Sequence, residues 1–153
     1  MRTFFCITVM AGLAVPFCTC AQGSTLPLEP GRWELSLNVR GAPIADPPPR
    51  SVCLSAQELS PQPERALLDA ALRSLPGGPA AGPQCALSDF KRDAAQSSWQ
   101  ARCNGPRGPV QGAGTGVLAA QTATLQQTFE VDTPLGPQTL KQTIRARRTG
   151  ACA

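Results

Sequence analysis

The sequence predicts a mainly β, α+β domain: an antiparallel meander forming a curved sheet or partial barrel, with one amphipathic helix and two disulfides. Three observations predict it. Apolar and polar residues alternate with period two through most of the chain, and Gly/Pro-rich turns interrupt that alternation roughly every ten residues. Helical spacing is confined to one stretch between 60 and 75. Four cysteines remain once an N-terminal leader is set aside.

The leader comes first. Arg2 supplies a positive charge, Phe4 to Phe17 is almost wholly apolar, and Thr19-Cys20-Ala21 offers small residues at its exit. These are the three parts of a secretory signal peptide, and the apolar run is shorter than the roughly 20 residues a bilayer span needs. A buried N-terminal helix is the competing reading, but charge, core and small exit in this order favour the leader. The expected plan is a signal peptide over 1–21, cleaved near Ala21, and one disulfide-bonded β domain over 22–153. A lipid anchor at Cys18 or Cys20 is the alternative, which Phe17 and Thr19 immediately before them fit poorly. No second long apolar run follows, so no transmembrane segment is expected in the mature chain. Without Arg2 the basic residues number 13 against 10 acidic ones, a net +3 spread too evenly to suggest nucleic acid.

The elements follow in order. Trp33, Leu35, Leu37 and Val39 share one face of a strand that Gly31 introduces. Residues 41–50 hold four prolines and form a loop, after which Ser51 to Leu54 is a short extended piece. The helix is expected over Ser60 to Leu75, with Ser60 as cap, Pro61 at its first position and Glu64 completing the capping arrangement. Leu67, Leu68, Ala71, Leu72 and Leu75 form its apolar face; Glu64, Arg65, Asp69 and Arg73 are expected away from it. A Pro/Gly/Ala-rich loop spans 76–83. Then come strands at Cys85–Lys91, Ser97–Cys103, Val110–Ala120, Ala123–Val131 and Thr139–Arg147, as consecutive antiparallel neighbours. Trp99, Ala101 and Cys103 share a face, as do Leu125, Phe129 and Val131; Leu140, Ile144 and Ala146 point inward, and Lys141, Arg145 and Arg147 outward.

Cys53, Cys85, Cys103 and Cys152 allow three pairings. Centring the polar turn Arg92–Gln96 on Ala94 sets Cys85 opposite Cys103, close enough for a disulfide, and leaves Cys53 for Cys152. A redox pair is disfavoured because there is no Cys-x-x-Cys, and a zinc site because no two thiols have close ligand spacing.

The chain contains no histidine, which removes Ser-His-Asp and Cys-His catalysis and histidine metal sites. No catalytic, cofactor or metal residues are therefore assigned. Ser88-Asp89-Phe90-Lys91 spells Ser-x-x-Lys, but in a strand residues three apart face opposite sides, and no Lys-Thr-Gly follows. Gly112, Gly114 and Gly116 lack the following helix a phosphate loop needs, and are read as room for a bulky neighbour such as Trp99. Glu130 and Asp132 share a strand face and are read as solvated acids. Arg145, Arg147 and Arg148 form a small basic patch, read as a soluble strand edge that discourages aggregation.

The order of landmarks resembles a known family. Pro30-Gly31-Arg32-Trp33-Glu34 opens the first strand, Cys53 follows a variable loop, and Cys85 begins a strand whose partner ends in Trp99-Gln100-Ala101-Arg102-Cys103. A Gly-rich strand comes next, and Arg148-Thr149-Gly150-Ala151-Cys152 closes the chain. Over nearly all of 26–153 this is similar to the exported bacterial proteins grouped as domain of unknown function 3617. The resemblance implies a Gram-negative, periplasmic or secreted setting and transfers no catalytic residue. The Pro/Ala-rich stretch between Cys53 and Cys85 departs from the family's pattern.

The expected function is a non-catalytic binding or interaction module that meets another envelope protein, with the Pro-rich loops at 41–50 and 76–83 as candidate contacts. One alternative is a calycin-like carrier of a small apolar ligand, against which the few aromatic residues (Trp33, Trp99, Phe90, Phe129) weigh. The other is an enzyme working through Glu130, Asp132 or Lys91.

Overall fold

A computed structural model describes residues 28–41, 45–73, 84–105, 108–134 and 136–152. The leader, the loop at 76–83, and Cys18 and Cys20 lie outside the described residues. Seven strands and one helix follow in the order β1 (Gly31–Arg40), β2 (Arg50–Leu54), α1 (Pro63–Leu72), β3 (Gln84–Asp93), β4 (Gln96–Gly105), β5 (Gly108–Ala119), β6 (Thr122–Thr133) and β7 (Gly136–Gly150).

The strands make one antiparallel sheet in the order β2-β1-β7-β6-β5-β4-β3. From β3 to β7 it is the expected meander. The first strand departs from it: β1 pairs with β7, the last, and β2 lies outside β1. The sheet is open, with β2 and β3 as its two edges.

One face carries the core, as alternation requires of a sheet covered on a single side. Rows of inward residues cross it from strand to strand. One runs Leu35, Ala146, Ala123, Leu118; the next runs Leu37, Ile144, Leu125, Gly116, Ser97; a third runs Val39, Gln142, Gln127, Gly114, Trp99. Helix α1 packs on this sheet against β1 and β7 and buries Leu67, Leu68, Ala70 and Ala71.

Gly114 is where the sheet's middle depends on having no side chain. A Cβ there would collide with the Trp99 indole, and at Gly112 and Gly116 with Phe129 and with Leu125 and Ser97. The glycines thus make the floor on which the aromatic rings lie.

The helix begins later than its sequence suggests. Pro63 rather than Pro61 takes the first helical position, and Gln62 caps it with no side-chain bond. The reciprocal Ser/Glu cap expected between Ser60 and Glu64 occurs earlier in the chain. There Glu58 accepts from the Ser55 backbone N–H (2.7 Å) and hydroxyl (2.8 Å), while the Glu58 N–H donates to Ser55 Oγ (3.2 Å). Glu64, released from capping, is fully buried instead of facing solvent.

A bulge in β3 explains where its partner comes from. Asp89 sits in the left-handed region (φ 51°), and the β3–β4 register shifts between Ser88 and Lys91. With that extra residue, Phe90 and Arg92 turn inward. Phe90 stacks on Trp99 (centroids 5.8 Å apart), the Arg92 guanidinium lies over the Phe90 ring, and Arg92 reaches Glu64 Oε2 at 2.5 Å. The ion pair therefore ties the helix to the far hairpin, and the aromatic stack joins the hairpin's two strands. The hairpin turn is also tighter than expected, with only Ala94 and Ala95 between the strands.

Candidate functional site

The two sequence landmarks at opposite ends of the chain meet in space. β1 pairs along nearly its whole length with the second part of β7, from Lys141 to Gly150. A Cβ on Gly31 (φ 147°) would run into the Gly150 carbonyl and the Arg148 guanidinium, so the close start of this seam requires glycine. Beside it Trp33, 0 % exposed, donates its indole N–H to the Glu29 carbonyl (3.1 Å). Glu34 meets Arg147 at 3.3 Å across the strands, and Arg148 donates to the Pro30 carbonyl (3.0 Å) and lies 3.7 Å from Glu29. Cys53 on β2 is bonded to Cys152 just beyond β7, so β2, β1 and the chain's end are one cross-linked unit. Cys85 and Cys103, directly opposite in register, form the second disulfide.

Against this unit lies a groove of about 390 Å³. One wall is all of β2, Arg50–Leu54; the other comes from Glu58, Ala70 and Arg73, at and beyond the helix. Since β2 pairs with β1 alone, its outer edge is unpaired among the described residues. Two arginines and one glutamate line it. Glu58 is held below the ordinary glutamate range by the Ser55 backbone N–H first, then the Ser55 hydroxyl and the Arg73 charge, against a small opposing effect of burial. Arg50 is exposed and meets no carboxylate among the described residues.

The family model described as "Protein of unknown function (DUF3617)" matches residues 28–152, which take in the whole of the described sheet. The chain belongs to the DUF3617 family. No curated protein and no solved structure gives a significant match.

In this DUF3617 domain the landmark residues Gly31, Trp33, Glu34 and Gly150 lie along the β1–β7 seam, and Trp99 packs over the glycine floor of the sheet. The residues named for carboxylate or lysine chemistry are not brought together. Glu130 and Asp132 are exposed on β6, and Lys91 is exposed on β3, with β4 and β5 between them. Because of the bulge, Ser88 and Lys91 are both exposed, where simple alternation put them on opposite faces. Among the described residues no group of three or more His, Cys, Asp or Glu is placed to hold a metal, and no helix is long and apolar enough to cross a membrane.

The basic patch at Arg145, Arg147 and Arg148 is not a sheet edge, since β7 lies between β1 and β6. Arg147 and Arg148 are instead the cations of the seam's ion pairs.

The groove was not foreseen from sequence. Its one local signal is Ser55-Ala56-Gln57-Glu58, a Ser-x-x-Glu cap that fixes the turn between β2 and α1.

Proposed function

We propose that this DUF3617 domain is an exported, non-catalytic interaction module that docks another envelope protein in an oxidising compartment, periplasmic or secreted. The groove along the free edge of β2 carries this reading. Among the described residues it presents an unpaired strand edge and an arginine without a carboxylate partner on a segment cross-linked to Cys152, with a helix wall opposite. Rigid scaffolds that present such edges are suited to protein recognition.

Two disulfides and an N-terminal leader support the compartment. The absence of histidine from the chain, and the separation of Lys91 from Glu130 and Asp132, support action without chemistry. Nothing similar favours the apolar carrier: Phe90, Trp99, Phe129 and Leu125 pack over the glycine floor of the sheet.

A native, non-reducing intact mass of protein recovered from bacterial periplasm tests the reading. The expected mass is that of residues 22–153 with two disulfides and no small molecule. A reproducible added apolar compound would move the function to the carrier, and a reduced chain that keeps its leader would overturn export.

A further inference from the structure

We propose that the β2 edge binds an extended peptide by strand addition, and that the peptide carries a carboxylate that pairs with Arg50. This rests on the domain being an interaction module and names what that module takes.

The lining of the groove shows how a ligand must lie. Successive residues of a strand point to opposite faces. A cavity that touches all five residues of β2 in succession runs along the strand's edge, not over one of its faces. The outward N–H and C=O groups of that edge are a template for another strand. Five residues at about 3.4 Å each give roughly 17 Å of template, room for a peptide of similar length.

The other sheet edge is guarded against the same event. β3 carries the Asp89 bulge, and Lys91, Arg92 and Asp93 follow it. Bulges and charges are the usual means by which an edge strand avoids pairing. β2 has neither device at its centre: its register with β1 runs without a shift from Gly31–Leu54 to Leu35–Arg50, and Ser51, Val52 and Cys53 are uncharged. The Cys53–Cys152 bond anchors the strand from its middle, so the edge is ordered before a ligand arrives.

Charge identifies the occupant. Glu58 is engaged by the Ser55 backbone N–H and hydroxyl, and the Arg73 side chain donates to the Asp69 carbonyl (3.2 Å), so among the described residues the cation at the groove whose side chain has neither a hydrogen bond nor an ion pair is Arg50. Guanidinium groups favour carboxylates through paired, charge-assisted hydrogen bonds. A second copy of this chain would bring another Arg50 to the edge and, from its groove, only the Glu58 carboxylate that Ser55 already engages.

An array of six-residue peptides, varied among Val, Thr, Asp, Asn and Lys at every position, tests this on the purified oxidised domain. Bound peptides are expected to prefer Asp over isosteric Asn at one position. R50A, and independently R50Q, should reduce that preference about two- to fivefold, the scale of an exposed ion pair. Methylating alternate backbone nitrogens of the best peptide should abolish binding for one of the two alternating sets.

Absence of bound peptide, equal binding of Asp and Asn, or indifference to both methylated sets would overturn the proposal. So would concentration-dependent protection of the β2 amides from hydrogen exchange without peptide, which would make a second copy the occupant. A protein partner that cross-links beside β2 while the peptides fail would leave the interaction module standing and remove only strand addition.

Discussion

Replacing Arg92 with Ala removes the only hydrogen-bond partner that the Glu64 carboxylate has among the described residues. Glu64 is 0 % exposed, its Oε2 receives the Arg92 guanidinium at 2.5 Å, and its Oε1 has no other hydrogen bond. A buried charge deprived of its partner costs about 3–5 kcal/mol. The lower end applies here, because Arg92 itself is 30 % exposed and water is near. Loss of the guanidinium over Phe90, 5.6 Å from the ring centroid, adds about 0.5–1 kcal/mol. The expected loss is therefore about 3–4 kcal/mol, a large part of the roughly 5–15 kcal/mol that holds a domain folded. Urea unfolding at pH 7 under oxidising conditions, followed by tryptophan fluorescence, measures it. The double variant E64L/R92M removes both charges and should recover most of the loss, since a well-packed apolar pair often equals a buried ion pair. An R92A loss below about 1 kcal/mol would refute the view that Arg92 holds the buried Glu64 side chain between helix and sheet.

Other outcomes follow from the same structure. Ala94 turns the β3–β4 hairpin at φ 49°, so A94G should stabilise by about 0.5–1 kcal/mol in thermal melts, and a loss would contradict that geometry. G114A drives a methyl into the Trp99 indole and should cost about 1–3 kcal/mol, with altered tryptophan fluorescence in the folded state. The chain separations of the disulfides are 99 and 18 residues, so C53S/C152S should cost about 1.5 kcal/mol more than C85S/C103S if loop entropy dominates. Comparable unfolding midpoints for the two would exclude that dominance. Glu58 binds its proton less tightly when folded than when unfolded, so its contribution is complete above the ordinary value of 4.5 and vanishes as the pH falls through its lowered pKa. E58Q should thus be less stable than the parent at pH 7 and converge with it on acidification; a gap that widens in acid would reverse the sign.

Much of the sheet is legible in the chain because one face is buried and the other wet. Trp33 to Val39 and Leu140 to Ala146 show this most clearly, since each inward position has a polar neighbour on either side. The Cys85–Cys103 pairing is as expected but arises differently: the turn centres between Ala94 and Ala95, which alone would set Cys85 opposite Asn104, and the one-residue bulge at Asp89 brings it opposite Cys103. The bulge at Asp89 is hidden because it inserts an ordinary residue into an ordinary pattern, and it decides that Phe90 and Arg92 turn inward. Glu64 was misplaced for the same reason: its partner lies 28 residues away and is aimed by that bulge. The β1–β7 seam joins segments more than a hundred residues apart, and no periodicity within either reports the pairing. The groove is less legible still, because it arises from β2 being last in the sheet rather than from any residue type.

The central claim is that the domain works through the β2 edge. Photo-cross-linking in living cells tests it most directly, with a photoreactive residue at Ser51 in the groove and, separately, at Gln126 on the exposed face of β6. The expected result is one reproducible envelope protein captured from Ser51, captured less in R50A, and absent from Gln126. Capture of the same protein from Gln126 alone, or equally from both positions, would contradict the account.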